Sequence, residues 1–327
     1  MALSPAIQEC ELLIKAFSGF GVDEQSMISL LTKLHPDQRQ SFRKSCPRFF
    51  SHDDRLFEKW ERDHIKQLEI EFSRFNKAVV LWTMHPWERD ARFAYEIIHK
   101  DARFTYEIIH KGSPLSILIE IACTRSSEEL LGARKAYHSL FKHSIEEDVA
   151  YDVKEDSRSL LVALVSSYRY EGLDVNTEIA KSEAKTLGKA IKEANGKKLV
   201  ENEDVIRILS TRSKFQLMAT FSHYKEIHGK DIDEDLEDDF LQATVQCIYS
   251  PPTYFSKVLE VALNNDVDEI TKEALTRVIV TRADVDMKEI KEAYQKIYGI
   301  PLTEKIERET RGNFKDFLLA LAAKGGY

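Results

Sequence analysis

The residues best suited to chemistry in this chain are Gly19 and Gly21, which bracket a single residue in the run Phe17-Ser18-Gly19-Phe20-Gly21-Val22-Asp23-Glu24. Glycine reaches backbone conformations that other residues avoid, so a closely spaced pair lets several carbonyl oxygens turn toward one point. Calcium takes roughly six to eight oxygen ligands in flexible geometry. The carbonyls of such a turn, joined by one carboxylate from elsewhere, would supply half a calcium shell and leave the rest open. The same glycines also suit the end of a helix, where a left-handed glycine is a common terminator. Other chemistry is absent from the sequence. There is no GxxxxGK[ST] phosphate loop, no HExxH and no GxSxG. Gly229-Lys230 follows an expected helix rather than a strand and has no upstream glycine. Cys10, Cys46, Cys123 and Cys247 lie far apart with no CxxC, so no disulfide framework is expected.

The elements that would position this turn come from a repeated unit. Thr124-Arg125 is followed by Tyr137, Thr211-Arg212 by Tyr224 and Thr281-Arg282 by Tyr294, each tyrosine thirteen residues after its threonine. A looser copy begins at Thr32-Lys33, and an apolar run precedes every copy. Internal repetition of this kind means stacked, similar modules. In the first copy helices are expected at 11–17, 24–34, 36–46 and 56–71, followed by a nearly all-apolar, buried one at 75–84. Asp23-Glu24 places acid at a helix N-terminus, where the dipole is positive, and Pro36 is a favoured first-turn residue. The apolar last helix recurs at 157–165, 240–248 and 314–323. The expected fold is therefore all-α, with four five-helix repeats at 1–87, 88–172, 173–250 and 251–327. The second contains a tandem duplication over 90–111, DARFAYEIIHK followed by DARFTYEIIHK. Eleven residues make close to three helical turns, so the extra copy should either extend a helix or loop out. The longest connector, beginning at Ser167, lies between copies two and three and points to a two-plus-two arrangement.

Composition narrows the function. The chain has 327 residues, 43% hydrophobic and 31% charged, with only 12 Gly and 8 Pro, which favours long helices with short turns. Its net charge of −8 argues against a nucleic-acid partner, which needs a basic surface. It argues equally against simple electrostatic docking on anionic lipid, so a cation would have to bridge the two. The opening MALSPAIQEC lacks the pattern of a secretory leader, and no apolar run approaches the roughly 20 residues that span a bilayer. A cytoplasmic protein is expected.

Four helical repeats with Thr-Arg-Ser after the second helix resemble the annexins along essentially the whole chain. The segments VVLWTMHPWERDA (79–91), IACTRSSEELLGARKAYHSLFKHSIEEDVA (121–150), LLVALVSSYRYEG (160–172) and VIVTRADVDMKEIKEAY (278–294) look specifically like plant annexins. The resemblance implies a curved disc whose convex face carries calcium loops and meets anionic phospholipid, with lipid phosphate completing the calcium shell. The implied protein is peripheral, attaching to membranes when calcium rises. By the same resemblance the carbonyls of Phe17, Gly19 and Gly21 are calcium ligands and Glu71 is the carboxylate, with Phe20 at the loop tip touching lipid. The chain departs from the family pattern here. Val22 stands where the pattern has Thr, Ser18 where it has a basic residue, and the carboxylate comes later than expected. An insertion near 48–60 fits that delay and leaves Glu69 as a rival to Glu71. The other loops are poorer. Copy four keeps Glu309 but no glycine pair, and copies two and three keep only Asp152 and Asp235 before the last helix. Fewer calcium sites than repeats are expected.

The resemblance also implies a central charged cluster of Asp90, Glu120, Arg125 and Arg277. An inter-module salt-bridge network is the expected role rather than ion conduction, with Asp101 as an alternative to Asp90. Cys123 and Cys247 match a cysteine pair proposed as a redox centre, yet both stand in apolar runs and read more readily as core. His35 lies near a histidine linked to a suggested peroxidase activity but has no haem-ligand motif around it. Ile206-Arg207-Ile208 matches an actin-binding tripeptide and reads more simply as a core-facing pair. Three functions follow: calcium-bridged membrane binding, a helical scaffold for actin or other proteins with decayed calcium loops, or a peroxidase or nucleotide phosphohydrolase. No enzyme is expected, because no catalytic motif supports one, and the oligomeric state stays open.

Overall fold

Local sequence sets several of the helix boundaries. Ser126 and Ser144 each accept a backbone N–H three residues on, while Glu129 and Glu147 reach back to the serine N–H, closing two capping boxes. Asn176, Asn202, Ser213, Asp238 and Asp268 cap five further helices with their side chains. Gly229 and Gly299 end helices in the left-handed conformation. The computed structural model describes residues 5–19, 21–31, 42–51, 59–60, 62–99, 115–153, 156–194, 199–264 and 266–324.

One unit comprises Met84–Tyr254. It holds copy two as helices Pro86–His99, Ser116–Thr124, Ser127–Phe141, Ile145–Asp152 and Arg158–Val165, and copy three as Thr177–Glu193, Glu203–Thr211, Lys214–His228, Ile232–Asp235 and Asp239–Tyr249. The other comprises Met1–Thr83 with Phe255–Tyr327. It holds copy one as Pro5–Ala16, Glu24–Leu31 and Arg62–Thr83. Copy four falls in Pro251–Ala262, Glu269–Arg282, Met287–Tyr298, Leu302–Glu309 and Gly312–Ala323. The two-plus-two grouping therefore pairs copy two with three and one with four. The long connector lies inside a unit instead of dividing two. Its Arg169 is buried, donates to the carbonyls of Leu209 and Arg212, and exchanges backbone hydrogen bonds with the Ser127 hydroxyl. That stitches the connector to both copies.

The recurring Thr-Arg…Tyr unit has a physical purpose. Each threonine hydroxyl donates back to its own helix, Thr124 to Glu120 O, Thr211 to Arg207 O and Thr281 to Val278 O. Each arginine takes a carboxylate: Arg125 takes Asp90, Arg212 takes Glu183 and Arg282 takes Asp286. The tyrosines are buried and donate to Asp148, Asp235 and Glu260 respectively. A buried phenol needs a partner, and burial with a neighbouring carboxylate pushes all three well above the usual tyrosine range.

Copy one departs from the five-helix pattern. The expected helices 56–71 and 75–84 are replaced by one continuous helix, Arg62–Thr83, because nothing between Glu71 and Phe75 breaks helical hydrogen bonding. Of its apolar second half, Ala78 and Leu81 are buried while Val80 is half exposed, so full burial is also corrected. Phe50–Ser51 pairs antiparallel with Lys59–Trp60, a short ladder in an otherwise helical structure. It coincides with the insertion expected at 48–60. Residues 32–41, including His35 and most of the expected helix 36–46, lie outside the described residues. So does 100–114, which contains Asp101 and the second half of the duplication; the first half is helical through His99. No helix among the described residues is long and apolar enough to cross a membrane.

Candidate functional site

The turn after the helix Pro5–Ala16 is built from that helix's own end. Phe17 N–H donates to Leu13 O, Ser18 N–H to Lys15 O, and Asp23 N–H returns to Ala16 O at 2.9 Å, closing the loop. Gly19 and Gly21 have φ of +88° and +104°, the region that side-chain-bearing residues avoid. The first glycine thus follows a helix end, as the terminator reading expects, and the pair together turns the chain. Phe17 anchors the entry, its ring 5.3 Å from Phe49 and 5.2 Å from His64, over a core that includes Leu13, Val22 and Phe42. Its carbonyl accepts the Gln67 amide at 3.0 Å. Phe20 lies outside the described residues.

Glu71 reaches this turn. A Cβ placed on Gly21 would sit 3.2 Å from Glu71 Oε2 and 2.8 Å from Arg311 N. Glu71 is buried on the inner face of its helix, whereas Glu69 is exposed; residues two apart on a helix point in different directions. Glu71, and not its rival, is the carboxylate brought to the glycines. Among the described residues no three acidic, histidine or cysteine side chains converge on a metal position, so a cation here would depend on backbone oxygens with Glu71. The donor set suits calcium, which favours oxygen ligands and mixed carbonyl–carboxylate shells.

Two cations flank the turn that the sequence reading missed. Arg74 pairs with Glu71 Oε1, one helical turn on, a spacing legible once the two are placed on a single helix. Arg311, from the segment before the last helix of copy four, donates through Nη1 to the carbonyls of Glu307, Arg308 and Thr310. Its Nη2 lies 3.8 Å from where a Gly19 Cβ would be. No local signal links residues so far apart in sequence. Beside the turn is a cavity of about 360 Å³ lined by Lys15, Asp23, Ser26, Arg311 and Lys315 among others. Hydrogen bonds from Ser26, aided by Arg311 and Lys315, hold Asp23 below its usual carboxylate range. Calcium would have to draw Glu71 away from Arg74. Gly21→Ala is expected to abolish whatever the turn binds and to cost about 1–3 kcal/mol of stability, from the positive φ and the clash with Arg311 N. Urea unfolding measures the cost.

The other candidate carboxylates are engaged. Glu309 pairs with Lys305 at 3.4 Å, and in the copy-four loop both Asp268 oxygens serve Thr271. Asp235 binds Tyr224 and Lys230, and Asp152 stands 3.5 Å from His99. Of the central cluster, Asp90 and Arg125 form a buried two-pronged pair at 2.6 and 2.8 Å, so the first duplicated copy supplies the aspartate. Glu120 instead accepts from Tyr254 at 3.1 Å. Arg277 belongs to the other unit, where burial lowers its pKa to about 10. Cys123 and Cys247 are fully buried, and burial pushes the Cys123 thiol up to about 11, which starves it of the reactive thiolate. In the tripeptide, Ile208 is buried and Arg207 is held by Glu183 and Asp204.

A family model described as Annexin matches residues 101–164, 182–241 and 264–321. Annexin D4 of Arabidopsis thaliana is 45% identical over 328 aligned positions, covering 99% of each chain. Annexin Gh1 of Gossypium hirsutum is 43% identical, covering 97% of this chain and 96% of its own. The structure of chicken annexin V superposes with a TM-score of 0.66 at 25% identity, covering 99% of this chain and 98% of that one.

Proposed function

This chain belongs to the annexin family, and from that premise we propose that it attaches reversibly to anionic phospholipid membranes by calcium bridging at the first-copy turn. The family's calcium-dependent binding of phospholipid agrees with this reading. The single observation that carries it is the Glu71 carboxylate lying against Gly21, two positions after Gly19. The carbonyls of Gly19 and Gly21, with Phe17 at the entry, would hold the ion with Glu71. The bound ion supplies the positive charge that an acidic protein and an acidic bilayer otherwise lack. Arg74 keeps Glu71 neutralised until the ion arrives, so the site binds weakly without lipid. The protein would move from cytosol to membrane as calcium rises.

A helical scaffold with decayed calcium loops is the second reading. It is favoured by the internal partners already holding Asp235, Asp268 and Glu309. Co-sedimentation with phosphatidylserine vesicles, in calcium and then in chelator, separates the two. Pelleting that appears with calcium and reverses with chelator supports the membrane reading. Absence of pelleting in both conditions supports the scaffold.

A further inference from the structure

Within the unit Met84–Tyr254, the connector meets the starts of the helices Ser127–Phe141 and Lys214–His228 around a cavity of about 320 Å³. Most of the charged groups lining it have an evident task. Glu129 accepts the Ser126 N–H and Glu171 the Ser127 N–H, each at 2.7 Å. Both acids therefore answer amides at a helix N-terminus, where negative charge is favoured. Arg125 is taken by Asp90. Lys214 Nζ donates to the carbonyls of Thr124 and Arg125 at 3.3 and 3.1 Å. Arg169 is different. It is only 6% exposed, and its Nη atoms reach the carbonyls of Arg212 and Leu209. Its Nε is buried with no hydrogen-bond partner among the described residues. No described acid offsets the burial that lowers its pKa. Buried charges are ordinarily paired, because losing water costs heavily unless an opposite charge replaces it. Carbonyls supply acceptors but no net charge.

We propose that this cavity binds a small monocarboxylate with a flat apolar body, its carboxylate taken by Arg169 and Lys214. The two cations lie close enough together that both act on the Cys123 thiol. The rest of the wall is apolar, from Ala122, Leu130, Tyr170 and Phe215. Tyr170 and Phe215 are exposed, so the opening presents two aromatic side chains. Gly172 gives the Tyr170 ring its place, since a Cβ there would lie 1.8 Å from the hydroxyl, and Asp174 accepts that hydroxyl at 2.9 Å. A mostly apolar hollow with a few placed polar groups is the common form of a small-molecule site, and roughly 300 Å³ is the lower end of the range. One negative charge is the limit, because Glu129 and Glu171 would repel a second. The inference does not rest on the membrane reading. The cavity lies in Met84–Tyr254 and the calcium turn in the other unit.

The test is a saturation-transfer NMR titration of the full chain with benzoate, set beside benzamide and inorganic phosphate. Benzoate is expected to saturate with a single dissociation constant. Benzamide has the same shape without the charge and should bind about tenfold more weakly or worse. Arg169→Gln should weaken benzoate by about tenfold or more, the worth of a hydrogen bond to a charged group. That arginine also ties the connector to both copies, so a second variant is read beside it. Phe215→Glu changes an exposed position, leaves every hydrogen bond of Arg169 in place, and should cost about tenfold by setting a like charge at the opening. Phe215→Leu should stay within several-fold of the parent, having lost only an aromatic contact. Absence of saturable benzoate binding overturns the proposal, as does equal binding of benzamide. Unchanged affinity in Phe215→Glu overturns the location, and that variant alone decides it if circular dichroism shows Arg169→Gln unfolded. Displacement of benzoate by phosphate at lower concentration than benzoate itself overturns the carboxylate assignment. Calcium-dependent vesicle pelleting by Phe215→Glu should match that of the parent, whichever way the membrane reading falls.

Discussion

Glu71→Gln is expected to raise the calcium needed for half-maximal vesicle binding by about tenfold or more, since ligand charge tunes calcium affinity over decades. Glutamine keeps the shape and helix propensity of glutamate, so Arg62–Thr83 should hold its length and the circular dichroism should not change. The sign of a second variant makes the prediction sharper. Arg74 pairs with Glu71 through Oε1, and Arg74→Gln removes that positive charge from beside the carboxylate. Its calcium requirement should fall several-fold in the same titration, because the ion no longer competes with a guanidinium. Glu69→Gln, altering an exposed position on the same helix, should do neither. Parallel shifts in all three variants would mean that general surface charge, not the turn, governs calcium binding.

Arg125→Met should lower the melting temperature of the protein by roughly 10 °C in calorimetry, equivalent to about 3–5 kcal/mol. The Asp90 side chain is 2% exposed and its partner 9%, so removing the guanidinium strands a carboxylate in the interior. Asp90 sits on the first helix of copy two and Arg125 at the junction of its second and third, so the pair fixes how those helices meet. Replacing both, as Asp90→Leu with Arg125→Met, should recover most of the loss, since the cost lies in the uncompensated charge more than in the bond itself. A single variant melting within about 2 °C of the parent would show the pair to be hydrated in solution.

Much of the fold was legible because helices are local. The capping serines at 126, 144 and 213, the glycines at 229 and 299 and the apolar last helices announce themselves within a few residues. The repeated Thr-Arg…Tyr spacing revealed how many modules to expect. It was silent on why tyrosine recurs, because the carboxylates that accept its hydroxyl fall at different offsets: Asp148 and Asp235 follow their tyrosines, whereas Glu260 precedes Tyr294. Copy one was misread where local signals conflict. Residues 71–75 carry no breaker, and a nearby insertion hid the joined helix. The candidate site was legible in its glycines and its acid but not in its charge balance. Arg311 stands 290 residues after Gly21, and only tertiary contact can place it there.

By itself the sequence determined the helical class, the repeat, the net negative charge and the turn that two glycines permit, since each follows from near neighbours or from simple composition. The tertiary structure decided which acid faces that turn, which arginines oppose it, and which copies have already committed their carboxylates to tyrosine, lysine or threonine. Those outcomes depend on side chains meeting across space, where burial makes every unpaired polar group costly and so selects its partner.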